Sequence, residues 1–129
     1  SKVLEIDRFM DEVAGTLSYG VKRRLQIAYA MVHEPRVFVL DEPFSGLDLY
    51  SAMAVVRMLR EKAEEGRTVV FSTHILQLAE ASADMITIID RGRIVSRGSP
   101  GELYSRYSTR NLQELFLKLY RIGGEKWIG

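Results

Sequence analysis

The chain has 129 residues, no cysteine, and 18 basic against 17 acidic side chains. That length suits one domain with a core of its own. The near balance of charge argues against a protein built mainly to grip nucleic acid, and the lack of cysteine excludes a disulfide framework and a thiolate metal site and fits a reducing compartment. No apolar run approaches the ~20 residues that span a bilayer, and the opening SKVLEIDRFMDEV is too charged for a secretory signal. Ser1 is not Met, so the expectation is a processed end or the edge of a chosen segment.

In chain order, residues 3–15 read as a short helix with Leu4, Phe9, Met10 and Val13 as its apolar positions and Gly15 ending it. Leu25, Ala28, Met31 and Val32 follow a helical period, which predicts a helix over Val21–Glu34, closed by Pro35 and preceded by Ser18 and Gly20. Val37–Leu40 is a short continuous apolar run, the pattern of a strand buried on both faces of a parallel sheet. Asp41 and Glu42 follow it at once; Pro43 stops the extended run, and Ser45-Gly46 turns the chain toward Asp48. A long amphipathic helix is predicted over Tyr50–Glu65, with Ala52, Val55, Val56, Leu59 and Ala63 inward and Gly66 as its C-terminal cap.

Arg67–Ser72 is a second β-branched strand carrying Thr73 and His74 at its carboxyl end, and a helix over Ile75–Ser82 follows. Met85–Ile89 reads as a third strand, turned by Arg91-Gly92 into a hairpin partner at Ile94–Ser96. Ser99-Pro100-Gly101-Glu102 has the form of a capping box with proline at the first helical position. The last helix, Leu112–Tyr120, turns Leu112, Leu115, Phe116 and Leu119 inward, and Gly123-Gly124 begins a tail that contains Trp127. Strand–helix–strand–helix–strand order implies an α/β fold with right-handed crossovers and a mostly parallel sheet.

Each candidate functional residue has an ordinary reading when taken alone. An acidic pair after a strand is commonly a loop feature, a lone histidine there is commonly just near a helix start, and Ser18 with Gly20 serve as a helix N-cap and a turn. Lys22-Arg23-Arg24 is odder, because cations in the first turn of a helix oppose its dipole; it is a candidate partner or anion contact. Together the pieces point one way. A serine and a glycine before a helix form an anion site, and open α/β sheets gather ligands at the carboxyl ends of their strands. Two acids there can hold a hard cation and handle a water proton. The combination points to phosphate chemistry with Mg²⁺.

LSYGV, RRLQIA, VFVLDEP, SGLD and STH, in this order and spacing, resemble the second half of an ABC-type ATP-binding domain of the P-loop NTPase class, from about Val13 to Leu119. The closing NLQELFLKLY is similar to the C-terminal helix of exporter-type ATPase subunits. The resemblance implies a role for each residue. Ser18 and Gly20, in the signature motif, would contact the γ-phosphate of ATP held by an opposite subunit. Asp41 would hold Mg²⁺, Glu42 would orient and deprotonate the attacking water, and Asp48 closes a D-loop that crosses the dimer interface. His74 is the switch histidine that contacts the γ-phosphate. Two residues depart from the family pattern, Tyr19 for the first signature glycine and Val21 for the usual glutamine. Tyr19 is tolerable if its side chain points away from the nucleotide, and Gly20 is kept.

The chain has no GxxxxGK[ST] phosphate loop, no upstream aromatic for adenine and no Gln loop. The resemblance therefore implies the C-terminal part of one ATP-binding domain, with residues 1–35 from its helical subdomain, 36–98 from its core sheet and 99–129 as C-terminal helices and tail. It implies a missing central strand and an apolar edge left open to association. The implied partners are a second ATP-binding subunit, head to tail, and transmembrane permease subunits, with no nucleic acid, and the implied place is the cytoplasmic face of a membrane. The full protein would hydrolyse ATP and this part alone would not. A soluble ABC-type ATPase of translation or DNA repair, and a non-catalytic dimerising half-domain, are the alternatives.

Overall fold

The computed structural model describes residues 19–122. The helix expected over residues 3–15, Leu17, Ser18, the Gly123-Gly124 tail and Trp127 lie outside the described residues. Nine elements follow in order: α1 (Tyr19–Val32), β1 (Val37–Asp41), α2 (Leu49–Glu64), β2 (Thr68–Ser72), α3 (Leu76–Ser82), β3 (Ile86–Asp90), β4 (Arg93–Gly98), α4 (Pro100–Tyr107) and α5 (Leu112–Ile122). They match the sequence-predicted elements to within about two residues at each end, the usual uncertainty of helix and strand limits. The added helix, α4, starts at the expected capping box: Ser99 Oγ accepts from the Glu102 amide and the Glu102 carboxylate accepts from the Ser99 amide, with Pro100 at the first position.

The chain divides between Leu78 and Ala79 into two compact units. In the first, β1 and β2 pair in parallel, Val37 with Thr68 through Asp41 with Ser72, and α2 makes the crossover that parallel pairing requires. The core gathers Ile27 and Met31 of α1, Phe38 of β1, Phe44, Leu78, and Ala52, Val55, Val56 and Leu59 of α2. The last four are the predicted inward stripe; Ala63, also expected there, is half-buried. Gly66, at φ +90°, ends α2 in the left-handed conformation that favours glycine.

One expectation fails here. β1 is not buried on both faces: Phe38 and Leu40 face the helices, while Val37 and Val39 are 54% and 76% exposed. Val70 of β2 is 53% exposed beside them. Among the described residues both α1 and α2 pack on the same side, so the other face of this two-stranded sheet has no cover, and a strand's residues alternate between the two.

In the second unit β3 and β4 form an antiparallel hairpin, Ile86 opposite Gly98 and Asp90 opposite Arg93, with an irregularity between Ile88 and Ile89. Arg91 and Gly92 both take positive φ, 49° and 75°, the geometry of a two-residue type I′ turn, whose twist matches that of the flanking strands. Ile86, Ile88, Leu103, Leu112 and Leu115 are buried. The Glu80 carboxylate accepts from the Tyr104 hydroxyl at 2.8 Å and from the Leu112 amide, so it serves an orphan donor in the first turn of α5. The four strands thus make two separate two-stranded sheets among the described residues, one parallel and one antiparallel.

Candidate functional site

The β1–β2 register brings the two strand tips side by side, because Asp41 pairs with Ser72. Residues that follow each strand, Glu42 on one and Thr73-His74 on the other, therefore meet. Ser72 Oγ donates to Asp41 Oδ1 at 2.6 Å and accepts from the Glu42 amide at 3.0 Å. That amide also faces the Ser72 carbonyl at 3.1 Å. The Glu42 carboxylate accepts from the His74 amide at 2.6 Å, from Thr73 Oγ1 at 3.3 Å, and is paired with His74 Nδ1. Asp41, Glu42 and His74, singled out in the sequence, are brought together.

Glu42 stands at φ +44°, left-handed backbone for a residue with a side chain. Such a conformation costs on the order of 1–3 kcal/mol and persists only where surroundings impose it. Here they do so from two sides. The Ser72 carbonyl and hydroxyl hold the Glu42 amide. On the other side Arg23 of α1 donates from Nη2 to the carbonyls of Asp41 at 3.2 Å and Glu42 at 2.9 Å.

Sequence reasoning gave Ser72 no role, and it offered Arg23 only within a basic run that was a candidate partner or anion contact. Each left a signal. The basic run Lys22-Arg23-Arg24 lies near the start of α1, where cations run against the helix dipole, and Ser72 is a small polar residue closing an apolar strand opposite Asp41.

The other predicted residues are placed as follows. Ser18 lies outside the described residues. Gly20 sits in the first turn of α1, where a Cβ would fall 2.6 Å from Ser51 Oγ and 3.1 Å from Ser51 Cβ, so its lack of a side chain lets α1 approach α2 closely. Tyr19 lays its ring against the D-loop turn; a Cβ on Gly46 would lie 2.8 Å from Tyr19 Cε1, and Gly46 has φ +74°. Asp48 caps α2, its Oδ1 accepting from the Ser51 amide at 2.7 Å. The bonds from the Ser51 amide and then the Ser51 hydroxyl hold the Asp48 carboxyl below its ordinary range, with the Arg24 charge adding to them. Arg24 itself lies over the Tyr50 ring, 5.9 Å from its centroid.

Asp41 offers an exposed carboxylate with the Ser72 hydroxyl oxygen beside it. This donor set fits Mg²⁺, which takes one or two carboxylates and completes its shell with water and substrate phosphates. No cluster of three or more metal-ligating side chains exists among the described residues.

A family model described as "AAA domain, putative AbiEii toxin, Type IV TA system" matches residues 11–80, which contain every residue of this site. The energy-coupling factor transporter ATP-binding protein EcfA of Methanoculleus marisnigri is 42% identical over 105 residues, 81% of this chain and 38% of that protein. The chain belongs to the ABC transporter ATP-binding domain family. The Nod factor export ATP-binding protein I of a Rhizobium species is 34% identical over 106 residues, 82% of this chain and 35% of that protein. A solved ATP-binding subunit of an ABC transporter superposes with a TM-score of 0.71 at 31% identity, covering 81% of this chain and 45% of the other. This ABC domain sequence thus spans under half the length of each of these relatives, and its fold is that of the P-loop NTPases to which they belong.

Proposed function

We propose that this chain is the C-terminal part of the ATPase subunit of an ABC transporter, and that its acidic strand tip serves ATP hydrolysis. The observation that carries the reading is the Glu42 carboxylate, fixed at the end of β1 by the His74 amide, Thr73 Oγ1 and the His74 ring. A general base must be held in position before its basicity matters. Glu42 orients the attacking water and takes its proton. His74 uses Nδ1 on Glu42 and so keeps Nε2 for the γ-phosphate. Asp41 holds Mg²⁺, which when bound neutralises charge on the phosphate oxygens. Gly20, at the positive end of α1, serves the γ-phosphate of an opposite subunit together with Ser18 of the same motif, and the D-loop through Asp48 lies against that subunit.

The remaining assignments follow from the family. Residues 1–35 belong to a helical subdomain, 36–98 to the core and 99–129 to the C-terminal helices. The working unit is a head-to-tail pair of ATP-binding subunits docked on permease subunits at the cytoplasmic face of a membrane. No helix among the described residues is long and apolar enough to cross a membrane. The closing NLQELFLKLY and the relative named for Nod factor export support the exporter type.

The phosphate loop supplies most of the amides and the lysine that cradle a triphosphate, so this chain alone neither binds Mg-ATP with micromolar affinity nor turns it over. The reading is tested by Glu42→Gln in a full-length subunit, which abolishes turnover while ATP binding persists. A variant that keeps most of the wild-type rate removes Glu42 from the role of base.

A further inference from the structure

We propose that Arg23 is a positioning residue for this site: by gripping the Asp41 and Glu42 carbonyls from α1, it holds the acidic pair in its working conformation. The inference rests on the reading of Glu42 as the base and adds a residue to it.

Three observations converge on Arg23. Its Nη2 is 3.2 Å from the Asp41 carbonyl and 2.9 Å from the Glu42 carbonyl, across 18 and 19 residues of sequence. The residue it grips is in left-handed backbone, at φ +44°, which a glutamate does not adopt unaided. The opposite side of that residue is fixed by Ser72, so removal of Arg23 leaves Glu42 held by its amide and side chain alone. Carbonyl contacts also explain why a cation is tolerated near the start of α1. Its charge reaches out of the helix to two acceptors at the end of β1 and does not stay against the helix dipole.

The chemistry follows from the geometry. A guanidinium on backbone oxygens adds no contact to either carboxylate, whereas a cation on the carboxylates themselves would compete there with water and metal. Arg23 also lies three residues after Gly20, on the helix proposed to meet the opposite subunit's ATP. A shift of that helix would therefore be felt at the carbonyls of the acidic pair.

The test compares Arg23→Met and Arg23→Lys in a full-length subunit, with Glu42→Gln alongside. Arg23 Nε is buried without a partner, so methionine removes an unmet polar atom along with the grip and the variant should fold. We expect kcat of Arg23→Met to fall by about 10–100-fold, since small displacements of reacting groups cost up to ~10²-fold. ATP affinity stays unchanged, and Arg23→Lys, which retains a donor, falls between it and wild type. Amide exchange in a peptide spanning Leu40–Phe44 speeds up, while peptides from α2 do not change.

An unchanged kcat, or unchanged exchange at Leu40–Phe44, overturns the proposal. Exchange that rises alike in α2 and at the strand tip overturns it too, because Arg23 would then be a general stabiliser. Retained turnover in Glu42→Gln together with faster local exchange in Arg23→Met separates the two ideas: the grip stands and the base is lost.

Discussion

Gly20 offers the sharpest check of how the signature helix meets its neighbour. A Cβ at this position would sit 2.6 Å from Ser51 Oγ and 3.1 Å from Ser51 Cβ. Ser51 is buried, in the first turn of α2, where its amide bonds to the Asp48 cap. Its hydroxyl can rotate, but its Cβ moves only with the backbone, so Gly20→Ala must push α1 and α2 apart by a few tenths of an ångström. Overpacking of this kind costs roughly 1–3 kcal/mol. The better helix propensity of alanine returns at most about 1 kcal/mol, and less in a first turn. The net expectation is a loss of about 1–2 kcal/mol. Urea unfolding followed by far-ultraviolet circular dichroism measures it, and Ser51→Gly supplies the cycle. Removing both obstructing atoms makes Gly20→Ala harmless, with a coupling of about 1 kcal/mol or more, as contacting pairs give. A neutral or stabilising Gly20→Ala, or strict additivity in the double variant, refutes the close approach.

Two further outcomes follow from the structure. Burial, and then the hydrogen bond and charge of Glu80, push the Tyr104 hydroxyl up to about 12 from its ordinary 10. In an absorbance titration one of the six tyrosines ionises late. Glu80→Gln brings it earlier, and a unimodal curve near 10 for all six refutes the pairing. Because the folded value is raised, this contribution to stability is complete below pH 10 and is lost as pH climbs from there through about 12. The second outcome concerns the bare sheet face. Val37, Val39 and Val70 lie exposed beside one another on β1 and β2, so the isolated chain associates as its concentration rises, and Val39→Lys reduces this in light scattering. A monodisperse monomer at high concentration counts against it.

Sequence alone determined the elements and the acidic and histidine members of the site. The apolar stripe of α2 and the capping box of α4 are local patterns, set by the 3.6-residue period and by side chains three positions apart. Asp41, Glu42 and His74 were legible because they stand at or just past the carboxyl ends of short apolar strands, where α/β folds place their chemistry. Tertiary structure decided the rest. The parallel register of β1 and β2 put Ser72 against Asp41 and the His74 ring against Glu42, through bonds between residues 31 and 32 apart. It decided that only one face of this sheet is covered among the described residues, against the expectation of two. It also turned one residue of a basic run, expected at most to contact a partner or an anion, into the Arg23 grip on the acidic pair. Backbone carbonyls carry no signature in a sequence, and neither does the left-handed turn that presents them. Such contacts appear only when the chain has brought a helix and a strand tip together.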